Sequence, residues 1–321
     1  NPVSARKGIK ALIENSRPDT VSCQYLSFYI IPLLNSASRM GQAETAMALI
    51  METDAEKAAQ KLSDLTRLNN TRKKNEDEGF AAASLEVYKN GWDTSDVLVV
   101  KGGWLHSISG NIASRLCKAF NRPAIAIGKE GANGLCIGSA RNNNAVDILA
   151  LLSDCSGILE RYGGHKAAGG LTIKAENVDL LRDEINKAYL RKYKRGAEKP
   201  ATEVDMALGK KCFSVENGLR LFGEIERLEP FGEANPRPLF LTKRIKVNKA
   251  EAFKNMKHLR LELGESPFNI EAVFWNNGEM AAKLREGMLV DIIYSAEIHS
   301  FRERRPRLIL EALTPSVAGE N

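Results

Sequence analysis

The chain has 321 residues, 43% of them hydrophobic and 27% charged, which suits about two packed domains and excludes a disordered chain. No apolar run reaches the roughly 20 residues a membrane-spanning helix needs, and no signal peptide opens the sequence. Forty-six Lys and Arg against 40 Asp and Glu leave a net charge of +6, a balance that suits a polyanionic partner without specifying one. The five cysteines (Cys23, Cys117, Cys136, Cys155, Cys212) contain no Cys-x-x-Cys pair. That argues against a zinc knuckle or a disulfide framework, and for buried thiols in a reducing cytoplasm. The sequence begins Asn1-Pro2-Val3 without methionine, the start expected of an excised piece or of a processed terminus.

The opening stretch, through about residue 41, reads as short helices, with a turn at Ser16-Arg17-Pro18-Asp19 and an apolar helix from Tyr25 to Leu34. From Ala43 to Glu78 the residues Ala46, Leu49, Ile50, Ala55, Ala58, Ala59, Leu62 and Leu65 recur at helical spacing without a proline, predicting one long bridging helix. After Gly91 strands and helices alternate. Asp96–Val100, Pro123–Gly128, Gly134–Gly138 and a run around Leu171-Thr172-Ile173 read as strands. Gly110–Phe120, Ala145–Cys155 and Asn177–Tyr193 read as helices, so the stretch predicts a layered α/β domain.

Arg191 to Pro200 reads as a linker. Beyond it lie five short β-type runs, Leu239–Val247, His258–Leu263, Ile270–Phe274, Leu289–Ser295 and Arg307–Leu313, with a helix at Asn277–Arg285. The pattern suggests a small closed barrel of the oligonucleotide-binding (OB) type.

Three segments carry chemistry. In Gly163-Gly164-His165-Lys166-Ala167-Ala168-Gly169-Gly170 the paired glycines permit positive φ and close approach to a ligand, and small residues leave room for a phosphate beside the imidazole. The same string also reads as a glycine turn whose histidine caps a helix. Arg39, in Leu34-Asn35-Ser36-Ala37-Ser38-Arg39-Met40-Gly41, precedes a helix start, where its guanidinium and free N–H groups can share a phosphate; the alternative is a solvated surface arginine. Ser139 and Arg141, in Gly138-Ser139-Ala140-Arg141, read as a hydroxyl and a bidentate donor between a strand and a helix amino terminus, a receptor for a terminal phosphate.

The Gly-Gly-His string followed by Leu171-Thr172-Ile173 resembles the signature of the DHH-associated domain. The Leu34–Gly41 and Gly138–Arg141 strings resemble motifs of RecJ-like single-stranded-DNA exonucleases within the DHH phosphoesterase superfamily. So does Trp104 to Arg115, with Leu105 and Ser107 where the family has histidine and glycine. The string Leu228-Glu229-Pro230-Phe231-Gly232-Glu233-Ala234-Asn235-Pro236-Arg237-Pro238-Leu239-Phe240 resembles the same family's entry into its OB barrel. Trp104 and Arg115 are expected to pack their helix onto the sheet. The departures at Ala140 and Asn142, where the family has glycine and serine, bear on backbone reach and on one hydroxyl contact.

The resemblance implies four parts: residues 1–41 as the end of a DHH domain, 42–78 as a connecting helix, 79–199 as the DHH-associated domain and 200–321 as the OB barrel. It implies that Arg39, Ser139 and Arg141, with Gly163 and Gly164, bind the 5′-phosphate end of DNA. On the same resemblance His165 would be the catalytic residue this chain supplies, touching the backbone near the scissile phosphate. Lys243, Arg244, Lys257, Arg302, Arg304 and Arg305 are barrel candidates for the DNA backbone, with Lys246, Lys249, Lys254 and Arg307 beside them, and Phe253 and Phe301 are candidates for stacking. The chain holds no Asp-His-His, and His106, His165, His258 and His299 are scattered. The resemblance implies manganese or magnesium in the intact enzyme, on ligands expected upstream of Asn1, and none in this piece, which should bind single-stranded DNA weakly and cut none.

The implied activity is 5′–3′ digestion of single-stranded DNA in repair and recombination. The implied partners are single-stranded DNA, with a single-stranded-DNA-binding protein and a helicase among replication and repair proteins, and no membrane. Two other readings are a non-catalytic repair or replication scaffold and a small-nucleotide phosphodiesterase of the same superfamily; a tRNA-synthetase accessory domain is more distant.

Overall fold

The structure, a computed structural model, describes residues 6–16, 21, 23–142, 146–193, 202–232, 234–299 and 304–316. Contacts divide the chain into two compact units, Asn1–Pro200 and Ala201–Asn321. Among the described residues no helix is long and apolar enough to cross a membrane.

The first unit opens with helix α1 (Lys7–Ser16). Helix α2 (Cys23–Tyr25) then runs through a π-helical turn (Leu26–Ile30) into α3 (Ile31–Arg39). Arg17 to Asp19 of the expected turn lie outside the described residues. The single bridging helix expected from 42 to 78 is instead two, α4 (Ala43–Met51) and α5 (Ala55–Lys89). The break has a local cause. Glu52 accepts the N–H groups of Thr53 (2.9 Å) and Asp54 (3.0 Å), and Asp54 caps α5 by accepting from Lys57 N at 2.9 Å. Propensity alone did not reveal that three consecutive acidic or hydroxyl residues would divert the backbone. Leu12, Leu33, Ala37, Leu49, Leu65 and Leu68 form the core of this helical part.

The α/β part follows as β1 (Leu98–Lys101), α6 (His106–Phe120), β2 (Ala124–Ile127), β3 (Leu135–Arg141), α7 (Ile148–Asp154), β4 (Arg161–His165), β5 (Ala168–Lys174) and α8 (Val178–Lys192). The sheet order is β1-β2-β3-β5-β4, with β1 and β2 parallel and the remaining pairs antiparallel. Alternate residues serve opposite faces. Leu98, Val100, Ala124 and Ala126 pack against Ile108, Ile112 and Leu116 of α6, with Ala83 and Val87 of α5. Val99, Ile125, Ile127 and Cys136 pack against α7 and α8. Helix α6 lies on β2 and β3, while β4 at the sheet edge is exposed along its whole length.

The second unit comprises β6 (Met206–Ala207), α9 (Val215–Glu226), β7 (Phe240–Phe253), β8 (His258–Glu265), β9 (Phe268–Phe274), β10 (Leu289–His299) and β11 (Arg305–Pro315). Strands run β7-β8-β9-β11-β10, and β10 returns to β7, closing a five-stranded barrel with β6 added beside β7. The β9–β11 pair is parallel. Phe213, Phe222, Tyr294, Ile245, Leu261 and Leu308 fill its interior. The expected helix at Asn277–Arg285 is only a 3₁₀ segment, Gly278–Lys283, and the strands are longer than the hydrophobic runs that marked them. The proline-rich entry is held by side-chain contacts: Asn235 Nδ2 donates to the carbonyls of Leu228 (2.9 Å) and Pro230 (3.0 Å), and Arg237 donates to Glu229 (3.1 Å) and lies over Phe231.

Candidate phosphate cradle and barrel surface

Three of the residues singled out from sequence meet at the first turns of α6. Arg39 Nη1 donates to the Ser107 carbonyl at 2.8 Å, and Ser107 Oγ donates to the Arg39 carbonyl at 2.6 Å. Arg39 is the last residue of α3, so the hydroxyl satisfies a carbonyl that the helix end leaves open. The helix start that Arg39 adjoins is thus that of α6, not that of the next helix in sequence. On the following turn, a Cβ at Gly110 would lie 2.6 Å from Arg141 Nη2 and 3.7 Å from Ser139 Oγ. The guanidinium thus occupies the space a Cβ would take, and a larger residue here would push the end of the Arg141 side chain aside. Leu105 offers α6 no side-chain cap, which leaves first-turn N–H groups facing outward near two arginines.

Ser139 and Arg141 lie within β3 itself, which runs three residues past the expected end of that strand. Residues 143–145 lie outside the described residues, and the next helix starts only at Ile148, so no helix amino terminus follows Arg141 directly. Burial pulls the Arg141 guanidinium below its ordinary basicity, and the charge of Arg39 acts in the same direction. Two cationic groups held near each other, one half-buried, are a receptor for an anion that would relieve both effects.

The glycine–histidine segment is a strand, not a loop: Gly163, Gly164 and His165 pair with Gly170, Gly169 and Ala168. Only Gly164 has positive φ (140°), and a Cβ there would come within 2.3 Å of the Ala168 carbonyl oxygen. Gly163 is extended and faces open space. Because directly paired residues share a face, β3, β5 and β4 set out rows on the face shared with α6. One row is Arg141, Ala168 and His165; the next is Ser139, Gly170 and Gly163. Ser139, Arg141 and the imidazole therefore share one sheet face, with two glycines as its floor, while Arg39 stands at the end of α3, fastened to the start of α6. Sequence reasoning missed Ser107, Gly110 and Gly170. The sequence pattern starts α6 at Gly110; only because the helix begins at His106 does that glycine fall inside it, where it costs about 1 kcal/mol against alanine.

Trp104 is buried and donates to Ser109 Oγ at 3.1 Å, while Arg115 ties α6 to α5, not to the sheet: it donates to Asp77 (2.7 Å) and lies over the Phe80 ring. In the barrel, Lys243, Arg244 and Lys257 are exposed. Arg244 N donates to Asp291 at 2.8 Å. Arg304 lies 3.9 Å from Glu226, and Arg305 is exposed at the start of β11. Phe301 and Arg302 lie outside the described residues. Arg307 is committed to Glu297 and Glu271, a role that excludes it from the free cations of the surface. Phe253 belongs to a ring cluster at the β7–β8 hairpin, 5.3 Å from His258 and 6.0 Å from the part-exposed Trp275. His258 Nδ1 accepts from Asn276 N at 3.0 Å. Burial, with Lys257 and Lys254 beside it, holds this imidazole below its ordinary pKa. Among the described residues no group of three or more His, Cys, Asp or Glu is placed to hold a metal ion.

Comparison with known proteins places names on these two units. Residues 94–190 match the DHHA1 domain, and residues 214–312 match the RecJ OB domain. The single-stranded-DNA-specific exonuclease RecJ of Bacillus subtilis (strain 168) is 30% identical over 310 residues, which are 95% of this chain and 39% of that protein. The protein of that name from Dickeya dadantii (strain 3937) is 26% identical over 331 residues, covering 97% of this chain and 55% of its own length. The chain thus spans about half or less of these relatives. The crystal structure of RecJ in complex with Mn²⁺ from Thermus thermophilus superposes with a TM-score of 0.77 over 99% of this chain and 45% of that one, at 23% identity, a likeness of fold. A DHHA1 domain followed by a RecJ OB domain, similar to RecJ along nearly its whole length, makes this a RecJ-like chain.

Proposed function

We propose that the α6-side face of β3, β5 and β4 binds the 5′-terminal phosphate of single-stranded DNA, in a protein that digests such DNA 5′ to 3′ during repair and recombination. The observation that carries this reading is the packing of Arg141 and Ser139 against Gly110, with Arg39 fastened to Ser107 at the same helix start. Arg141 and Arg39 supply charge, Ser139 supplies a hydroxyl, and Gly163 and Gly170 admit the backbone without a Cβ in the way. His165, on the row of Arg141, would touch the backbone near the scissile phosphate and steady charge there. The barrel would bind single strand or flanking DNA through Lys243, Lys257 and the ring cluster at Phe253. Mn²⁺ or Mg²⁺ would serve the whole protein through residues that this chain does not contribute, and the chain by itself binds single strand and cuts none. A single-stranded-DNA-binding protein and a helicase are the partners such a role implies. A cytoplasmic setting rests on five thiols that are all free.

Binding assays on the 321-residue chain decide between this and a small-nucleotide role. An oligodeoxynucleotide should bind far more tightly than a dinucleotide, and Arg141→Ala should weaken it. Equal affinity for both ligands would overturn the proposal.

A further inference from the structure

The sheet face that carries the cradle does not stop at the glycine row. One step further along the same three strands, Ile137, Thr172 and Arg161 are directly paired, so their side chains share the face of Ser139 and Arg141. Arg161 is exposed, and no described carboxylate pairs with it. Glu160, its neighbour in sequence, lies against Lys174 at 4.0 Å. Between the two arginines the surface is low: Gly163 meets nothing, and Gly170 only one carbonyl oxygen at 3.9 Å. At about 3.3 Å per residue and 4.8 Å between strands, Arg161 stands about 13 Å along and about 10 Å across from Arg141. That separation exceeds the reach of one phosphate and suits two points on one extended polyanion.

We infer that Arg161 is a second phosphate-binding arginine, gripping the DNA backbone several bonds inward of the terminal phosphate held at Arg141. The inference rests on the proposed function of this face. Arg161 contacts an internal phosphate, the glycine floor lets the backbone lie flat between the arginines, and Thr172 stands beside its path as a neutral hydroxyl. The three rows thus form one track for a single strand, with charge at both ends and no side chain in the middle row's last two positions.

The test measures binding of the 321-residue chain to an oligodeoxythymidylate across a range of salt, for the unaltered protein, Arg161→Ala and Arg161→Gln. Either substitution should weaken binding about fivefold. Either should also lower the slope of log affinity against log salt by about 0.7, one single-strand phosphate contact. The loss should be equal with a 5′-phosphate and a 5′-hydroxyl, and should vanish when internal linkages are neutral methylphosphonates. An unchanged slope, a loss confined to the 5′-phosphorylated strand, or an equal loss toward polyglutamate would each overturn the inference. Arg141→Ala on the same strands reads the underlying proposal separately, through the preference for a 5′-phosphate.

Discussion

Arg39 and Ser107 are joined twice, guanidinium to carbonyl at 2.8 Å and hydroxyl to carbonyl at 2.6 Å, across 68 positions of sequence. The pair locks the end of α3 to the start of α6 and fixes where the Arg39 charge sits. Ser107→Ala removes only the hydroxyl bond, so it should cost about 1 kcal/mol of stability in chemical denaturation. Arg39→Lys should lose more affinity for DNA than stability, because an ammonium cannot hold the Ser107 carbonyl and a phosphate in one fixed fork.

The two glycines ahead of His165 should respond oppositely to alanine. Gly164→Ala forces a Cβ to 2.3 Å from the Ala168 oxygen at a φ of 140°, and should destabilise the first unit by about 2 kcal/mol. Gly163→Ala meets open space, so thermal unfolding should barely change while DNA binding weakens as the floor fills.

Behind the cradle, Arg72 donates to Glu76 at 2.6 Å, and Asn111 of α6 donates to the same carboxylate at 2.5 Å, with both charged side chains nearly buried. Glu76→Ala leaves a buried guanidinium with the neutral Asn69 amide but no carboxylate, and should cost about 3–5 kcal/mol. The double change Arg72→Met with Glu76→Met should cost much less, which denaturant titration of the three proteins would show.

The α4–α5 junction should be acid-sensitive. The Lys61 ammonium, then the backbone N–H of Asp54, hold the Glu52 carboxyl down at about 2 against burial that pushes it up. A carboxyl lowered on folding stabilises above its unfolded value near 4.5, and that stabilisation is lost as pH falls from about 4.5 toward 2. Glu52→Gln should therefore unfold more easily than the parent at neutral pH, and the difference should close progressively below about pH 4.5.

Much of this was legible in the sequence, for identifiable reasons. Strand and helix periodicity marked both units because burial repeats about every 2 or 3.6 residues, and the proline-rich entry marked the barrel. The Arg39, Ser139, Arg141 and His165 strings stood out because each couples a polar group to small neighbours, but local chemistry left their roles open and only the family resemblance suggested a phosphate site. What was not legible depends on partners distant in sequence. Nothing local says that Ser107 answers Arg39, that Gly110 makes room for Arg141, or that Glu271 and Glu297 occupy Arg307. The Glu52–Asp54 break was hidden by good helix propensity on both sides. Arg161 emerged only from strand register, since a lone arginine before a glycine pair has no distinguishing pattern.

The most direct measurement is the affinity of this chain for one oligodeoxynucleotide with a 5′-phosphate and with a 5′-hydroxyl, before and after Arg141→Ala. The unaltered protein should prefer the phosphorylated strand by about tenfold, as expected of one charge-assisted contact, and Arg141→Ala should erase the preference. Equal affinity for the two strands in the unaltered protein, or a preference that survives Arg141→Ala, would contradict the cradle.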